Sequence, residues 1–250
     1  MTDPFIIAAI GAVFLLAGGV KGLIGLGLPT VSLGLLTVLL DLTTAMALLT
    51  LPAAATNLWQ AAVGGHARMI VRRLWPFMLA ATITVWLGAL ALTRVDLALL
   101  SALLGLILVA YAGLSLGGWR FAIPAQAEGW AGPLFGSVNG VLTGMTGSFV
   151  VPGVLYLQAI GLGRDALVQA MGFLFGASAL ALAVALGGSG LFARETGMVS
   201  AAALVPALIG MAIGQRMRRR LSEERFRRVF FVGILALGAY IIAAAALDGA

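Results

Sequence analysis

Long apolar runs separated by short polar breaks dominate the chain. They cover residues 5–20, 29–40, 44–63, 74–93, 97–118, 130–150, 151–162, 166–191, 197–214 and 229–247, and nearly every charge lies between them. Backbone groups in hydrocarbon must bond within their own segment, so the runs predict helices rather than strands. Ala and Leu enrichment agrees, and the alternation of a membrane β-barrel is absent. A spanning helix needs about 20 residues at about 1.5 Å each, so the runs at 29–40 and 151–162 are too short to cross fully.

Composition fixes the environment. Of 250 residues 62% are hydrophobic, while Lys+Arg number 15 and Asp+Glu 9. So few charges cannot solvate the surface of a soluble enzyme of this size. With no Cys there is no disulfide scaffold. The first run follows Asp3 rather than a basic stretch, which predicts a retained span and not a secretory signal. The net charge of +6 comes from basic residues that flank apolar helices. These set topology, and nucleic acid is not an expected partner.

Two stretches of the chain resemble one another. Gly18-Gly19-Val20-Lys21-Gly22 leads through Gly25 and Gly27 to Pro29, and Gly136-Ser137-Val138-Asn139-Gly140 leads through Gly144 and Gly147 to Pro152. Aligned this way, Lys21-Gly22 matches Asn139-Gly140, and Asn57 falls near Ser178. The expected fold is an all-α integral membrane protein. It is an inverted-topology repeat of two five-segment halves, with a Gly/Pro break between the first two segments of each half. The halves are 1–118 and 130–250, joined by a loop at 119–129 in one membrane domain.

Charge decides between five and four crossings per half. With five, Arg68, Arg72, Arg73, Arg120 and Arg164 join the run Arg216, Arg218, Arg219, Arg220, Arg225, Arg227 and Arg228 inside, and only Arg94 and Arg194 lie outside. With four, nine basic residues lie inside and five outside. The positive-inside rule favours five, with both termini outside.

The breaks hold the candidate chemistry. Gly22, Gly25 and Gly27 let the chain bend, and Pro29 suits the first turn of a new helix. Gly140, Gly144, Gly147 and Ser148 repeat the pattern. A helix N-terminus presents unpaired N–H groups to an anion, and two such ends brought together would form one central site. Close helix packing is the competing explanation, since Gly18…Gly22 and Gly140…Gly144 have small-x-x-x-small spacing. Lys21 adds a positive charge inside a segment, which marks function by default, or else it snorkels to the cytoplasmic face. Asn57, Asn139 and Thr143 supply neutral hydrogen-bonding groups. Gln60 and Ser178 read as interhelical hydrogen bonders. Asp41 and Asp165 precede long helices and read as caps. No acid lies centrally in a span, and His66 sits in a basic loop. No metal or cofactor is expected, because one His and no Cys offer too few ligands. No acid, base and nucleophile converge within the spans, so an integral-membrane enzyme is the weakest reading.

The motifs GGVKGLIGLGLP and NGVLTGMTGSFVVP resemble those of the TauE/SafE family of sulfite exporter-like membrane proteins. Asn57 followed by Gly64-Gly65, and Gly210…Gly214 leading into a basic loop, extend the resemblance over essentially the whole chain. It implies export of sulfite, a sulfonate or a related sulfur-containing or organic anion across a bacterial plasma membrane, with the basic loops cytoplasmic. The expected function is a secondary transporter working by alternating access, the alternative being a channel-like anion pore. The implied partners are the small anion, the bilayer and a coupling ion such as H+ or Na+; a homodimer is compatible with this.

Overall fold

The computed structural model describes residues 3–119, 121–217 and 223–248. Arg120, Arg218, Arg219 and Arg220, which contribute to the charge asymmetry, lie outside the described residues. Among the described residues every regular element is a helix, with no strand.

Two runs of five helical segments follow each other. The first comprises α1 (Pro4–Ile24), α2 (Leu28–Leu39), α3 (Leu42–Ala62), then α4 (Ala67–Ile83) continued by α5 (Val85–Ala89) and a 3-10 turn, and α6 (Leu97–Leu116). The second comprises α7 (Glu128–Thr146), α8 (Gly153–Ala159), α9 (Arg164–Gly188), α10 (Arg194–Met217) and α11 (Glu223–Asp248). Six of these segments are long and apolar enough to cross a membrane: α1, the run Ala67–Thr93, α6, α9, α10 and Glu224–Leu247 of α11. The short second segments are as short as expected, and α8 is shorter. It occupies only seven residues of the apolar stretch 151–162, because the chain turns at Val151-Pro152 before coiling and again at Gly161 (φ 70°) after it.

The helix starts follow from local chemistry. Asp3, Asp41 and Asp96 each accept a hydrogen bond from a first-turn backbone N–H and cap α1, α3 and α6. Asp165 does not cap α9: the cap position is Gly163, and Asp165 lies within the first turn.

Packing is exchanged symmetrically between the runs. The first helix of each run lies against the fourth segment of the other, third packs on third, and fifth on fifth. Glycines set the closest of these contacts. A methyl on Gly18 or Gly22 would collide with the backbone oxygens of Ala207 and Met211, and one on Gly140 or Gly144 with those of Ala81 and Val85. Such backbone approach is what small residues allow between membrane helices. The same neighbours give directions. α1 runs parallel to α10 and α7 parallel to α4, since each successive glycine meets a later residue of its partner. α3 and α9 are antiparallel: Leu58 lies at Gly176, Ala61 at Gly172 and Gly64 at Gln169. α6 and α11 are antiparallel too, with Gly105 against Ile242 and the ring of Tyr111 5.2 Å from that of Phe231.

The helix ends, read with these neighbours, correct the sequence register. Gly140 and Gly144 stand to Ala81 and Val85 as Gly18 and Gly22 stand to Ala207 and Met211. Gly136 and Gly140 stand to Phe77 and Ala81 in the same way, so it is the helix ends that set Lys21 against Thr143, one turn beyond Asn139. Gly25 and Gly147 both cap in the left-handed conformation, their N–H groups donating to Lys21 O and Thr143 O. Glycine recurs every four residues at 136, 140 and 144, so the sequence pattern matches itself after a shift of one turn.

Polar side chains tie the central pair. Gln60 donates to Val168 O and Gln169 donates to Ala61 O, each at 2.7 Å, and Gln169 also accepts from the backbone N–H of His66. At the edge, Arg73 donates to both carboxylate oxygens of Glu128 and, at 3.0 Å, to Ile160 O. That hydrogen bonding holds the Glu128 carboxyl below the usual carboxylate range.

Gly22→Ala and Gly144→Ala should each lower stability by about 1–3 kcal/mol through overpacking. Gly11→Ala, where nothing lies within 4 Å, should be neutral or slightly stabilising. Thermal unfolding of the purified variants in detergent measures the difference.

Candidate functional site

Lys21 lies near the end of α1 and is 4% exposed, so its side chain does not reach out to solvent. Its ammonium donates to Asn57 Oδ1 and, at 3.3 Å, to Thr56 Oγ1. Thr56 in turn donates to Pro52 O at 2.7 Å within α3. No acidic group pairs with Lys21 among the described residues. A buried charge with only neutral acceptors keeps much of its desolvation cost uncompensated. Asn57 turns its oxygen to Lys21, which leaves its own Nδ2 buried without a partner. The group therefore presents an ammonium and an amide N–H₂, both donors.

The first break is built as expected. Gly25 (φ 80°) ends α1, Gly27 (φ 104°) precedes α2, and Pro29 lies in the first turn. A side chain at Gly27 would meet Val20 and Phe230 besides adopting a left-handed backbone. Thr30, in that same turn, is buried and its hydroxyl has no partner.

The second break differs. α7 ends at Gly147 (φ 74°), but no helix starts there. Thr143 donates to Ser148 O at 3.0 Å, and Thr146 Oγ1 accepts from Ser148 N. The next helix begins at Gly153, where the backbone N–H donates to Asn139 Oδ1 at 2.8 Å. An N–H expected to face an anion is thus already bonded by a side chain, and Asn139 Nδ2 is left buried and unpartnered. Asn139, Gly140, Thr143, Gly144, Gly147 and Ser148 form one cluster on α7 and its exit, while Lys21, Gly22, Gly25, Gly27 and Asn57 form another on α1, α3 and the first break. The described hydrogen bonds do not join the two. Gly22, Gly140 and Gly144 are occupied by helix packing.

Gln60 makes the interhelical bond expected of it, and Ser178 does not: its buried hydroxyl has no partner. Thr56 and Thr30 escape sequence reasoning. Thr56 precedes Asn57 on the same helix and Thr30 follows Pro29, but hydroxyls that bond their own helix are common and carry no distinguishing signal.

Residues 10–241 match a family model described as "Sulfite exporter TauE/SafE". No curated protein and no solved structure matches the chain.

Asn57→Leu removes the main acceptor of a buried ammonium and should cost about 3 kcal/mol. The pair Lys21→Met with Asn57→Leu should recover most of that loss. A double-mutant cycle by thermal unfolding measures the coupling.

Proposed function

Because the chain belongs to the sulfite exporter TauE/SafE family, we propose that it is a secondary transporter that moves a small anion, sulfite or a sulfonate, out of the cell by alternating access. Membership of that family, with six apolar helices, makes it a multi-pass membrane protein of a transporter family. One observation carries the finer proposal: Lys21 is a buried cation without a counter-ion, beside an amide whose N–H₂ group has no partner. An oxyanion supplies what both groups lack. It accepts from Lys21 Nζ and Asn57 Nδ2, while Thr56 and the glycines of the first break hold the ammonium and backbone in place. Asn139, Thr143 and Ser148 serve the second half, through the other orphan amide.

The helix directions support an inverted repeat of five plus five segments. If each half crossed four times, the third segments would run parallel, and so would the fifth. Antiparallel third and fifth pairs, with parallel first-to-fourth pairs, are what five crossings produce. Both termini then lie outside and the basic loops in the cytoplasm, at the bacterial plasma membrane. H+ or Na+ is the proposed coupling ion.

Two measurements test this. Reconstituted protein should take up sulfite into liposomes with trans-stimulation, and Lys21→Met should reduce flux at least about tenfold, as expected for loss of a charged hydrogen bond. Flux without trans-stimulation would indicate a pore, and undiminished flux in Lys21→Met would remove Lys21 from the mechanism. The absence of Cys makes topology directly testable. In intact cells a membrane-impermeant maleimide should label Val95→Cys and not His66→Cys; the reverse labelling would favour four crossings per half.

A further inference from the structure

An open cavity of about 540 Å³ lies where the ends of α6 and α8 meet the starts of α9 and α11, lined by none of the residues of the Lys21 or Asn139 clusters and with Gln158 and Arg227 exposed. Four of its lining side chains are polar: Tyr111, Ser115, Gln158 and Arg227. None makes a hydrogen bond or ion pair among the described residues. Tyr111 is the telling one. Its ring is buried and held edge-on by Phe231, while its hydroxyl, which makes no protein hydrogen bond, is accessible from the cavity. Glu224, one turn before Arg227, shares a smaller adjoining cavity of about 150 Å³ with Arg227 and Arg228 and pairs with neither.

The remaining walls are hydrocarbon and aromatic: Leu114, Trp119, Phe121, Leu155, Leu162 and Phe231. The volume falls within the range of small-molecule sites, which combine apolar walls with a few convergent polar groups. A bare inorganic oxyanion would leave most of these walls uncovered. An anion with an apolar body uses both parts, its head on the guanidinium and phenol and its body against the leucines and rings. Leu26 of the first break also lines the cavity, five residues from Lys21.

We propose that this cavity is a binding site for a small organic anion with an apolar body, held by Arg227, Tyr111 and Gln158. It rests on the transport reading for its purpose, as the cytoplasmic entrance to the Lys21 site; the binding itself does not depend on transport.

The test uses the full chain in phosphatidylcholine nanodiscs with benzenesulfonate as probe, followed by calorimetry. Wild type should bind it, Arg227→Gln should weaken binding about tenfold and Tyr111→Phe several-fold, and sulfite should not displace it. Unfolding temperatures identify any variant that fails to fold, and Arg227→Lys, which keeps the charge, should retain part of the affinity. No binding by wild type, equal binding by Arg227→Gln and Tyr111→Phe, or displacement by sulfite at matched concentration would each overturn the proposal. So would a phosphatidylglycerol that excludes the probe and copurifies with wild type but not with Arg227→Gln, since lipid would then be the occupant. Sulfite flux without benzenesulfonate binding would sink the site and leave transport standing; binding without any flux would do the reverse.

Discussion

The backbone contact between α1 and α10, repeated between α7 and α4, is the constraint from which the rest follows. Each pair meets through glycines with no room for a methyl group. In hydrocarbon there is no water to expel between apolar helices, so van der Waals contact must hold them, and small residues bring the most atoms into range. The first helix of each run is thereby fixed to the other run rather than to its own. α1 is held with Lys21 facing α3, and α7 with Asn139 facing the start of α8. The polar groups are placed by glycine packing on the same helices, and Gly22 adjoins Lys21 in the chain.

Much of the fold is legible in the sequence because the bilayer simplifies the code. Every apolar window corresponds to a helix, and the shortness of the second segments follows from length alone. The Gly/Pro break before α2 is equally readable, since Pro29 and Gly27 have few other uses in that order. What failed to read has definite causes. A four-residue glycine spacing looks the same after sliding one turn, so the sequence matches Lys21 with Asn139 and only the helix ends at Gly25 and Gly147 point to Thr143. α8 is shorter than its apolar window because turns at Val151-Pro152 and at Gly161 cut it at both ends, and apolarity does not reveal them. Just before it, Phe149 and Val150 are buried without being helical.

The candidate site is half legible. A lysine within an apolar segment stands out, and so does Asn57. Whether a lysine snorkels or turns inward depends on a rotamer and on a partner 36 residues away, which no local pattern encodes. The Asn139 bond to Gly153 is similar: both residues are visible, but their meeting depends on where the next helix begins. The cavity at Arg227 could not be anticipated, since a basic residue near a helix start reads as topology.

Lys21 corresponds to Thr143, and the proposed transport cycle is then not symmetric. A carrier whose halves trade conformations is energetically neutral between its two orientations only when the halves are alike. Here one half carries a charge where the other carries a hydroxyl, and a twelve-residue second segment where the other has seven. Under the alternating access proposed above, the empty protein would have a preferred resting orientation, set by which side leaves the ammonium better solvated. A preference of that kind makes loading from one side easier than from the other, before any ion gradient acts.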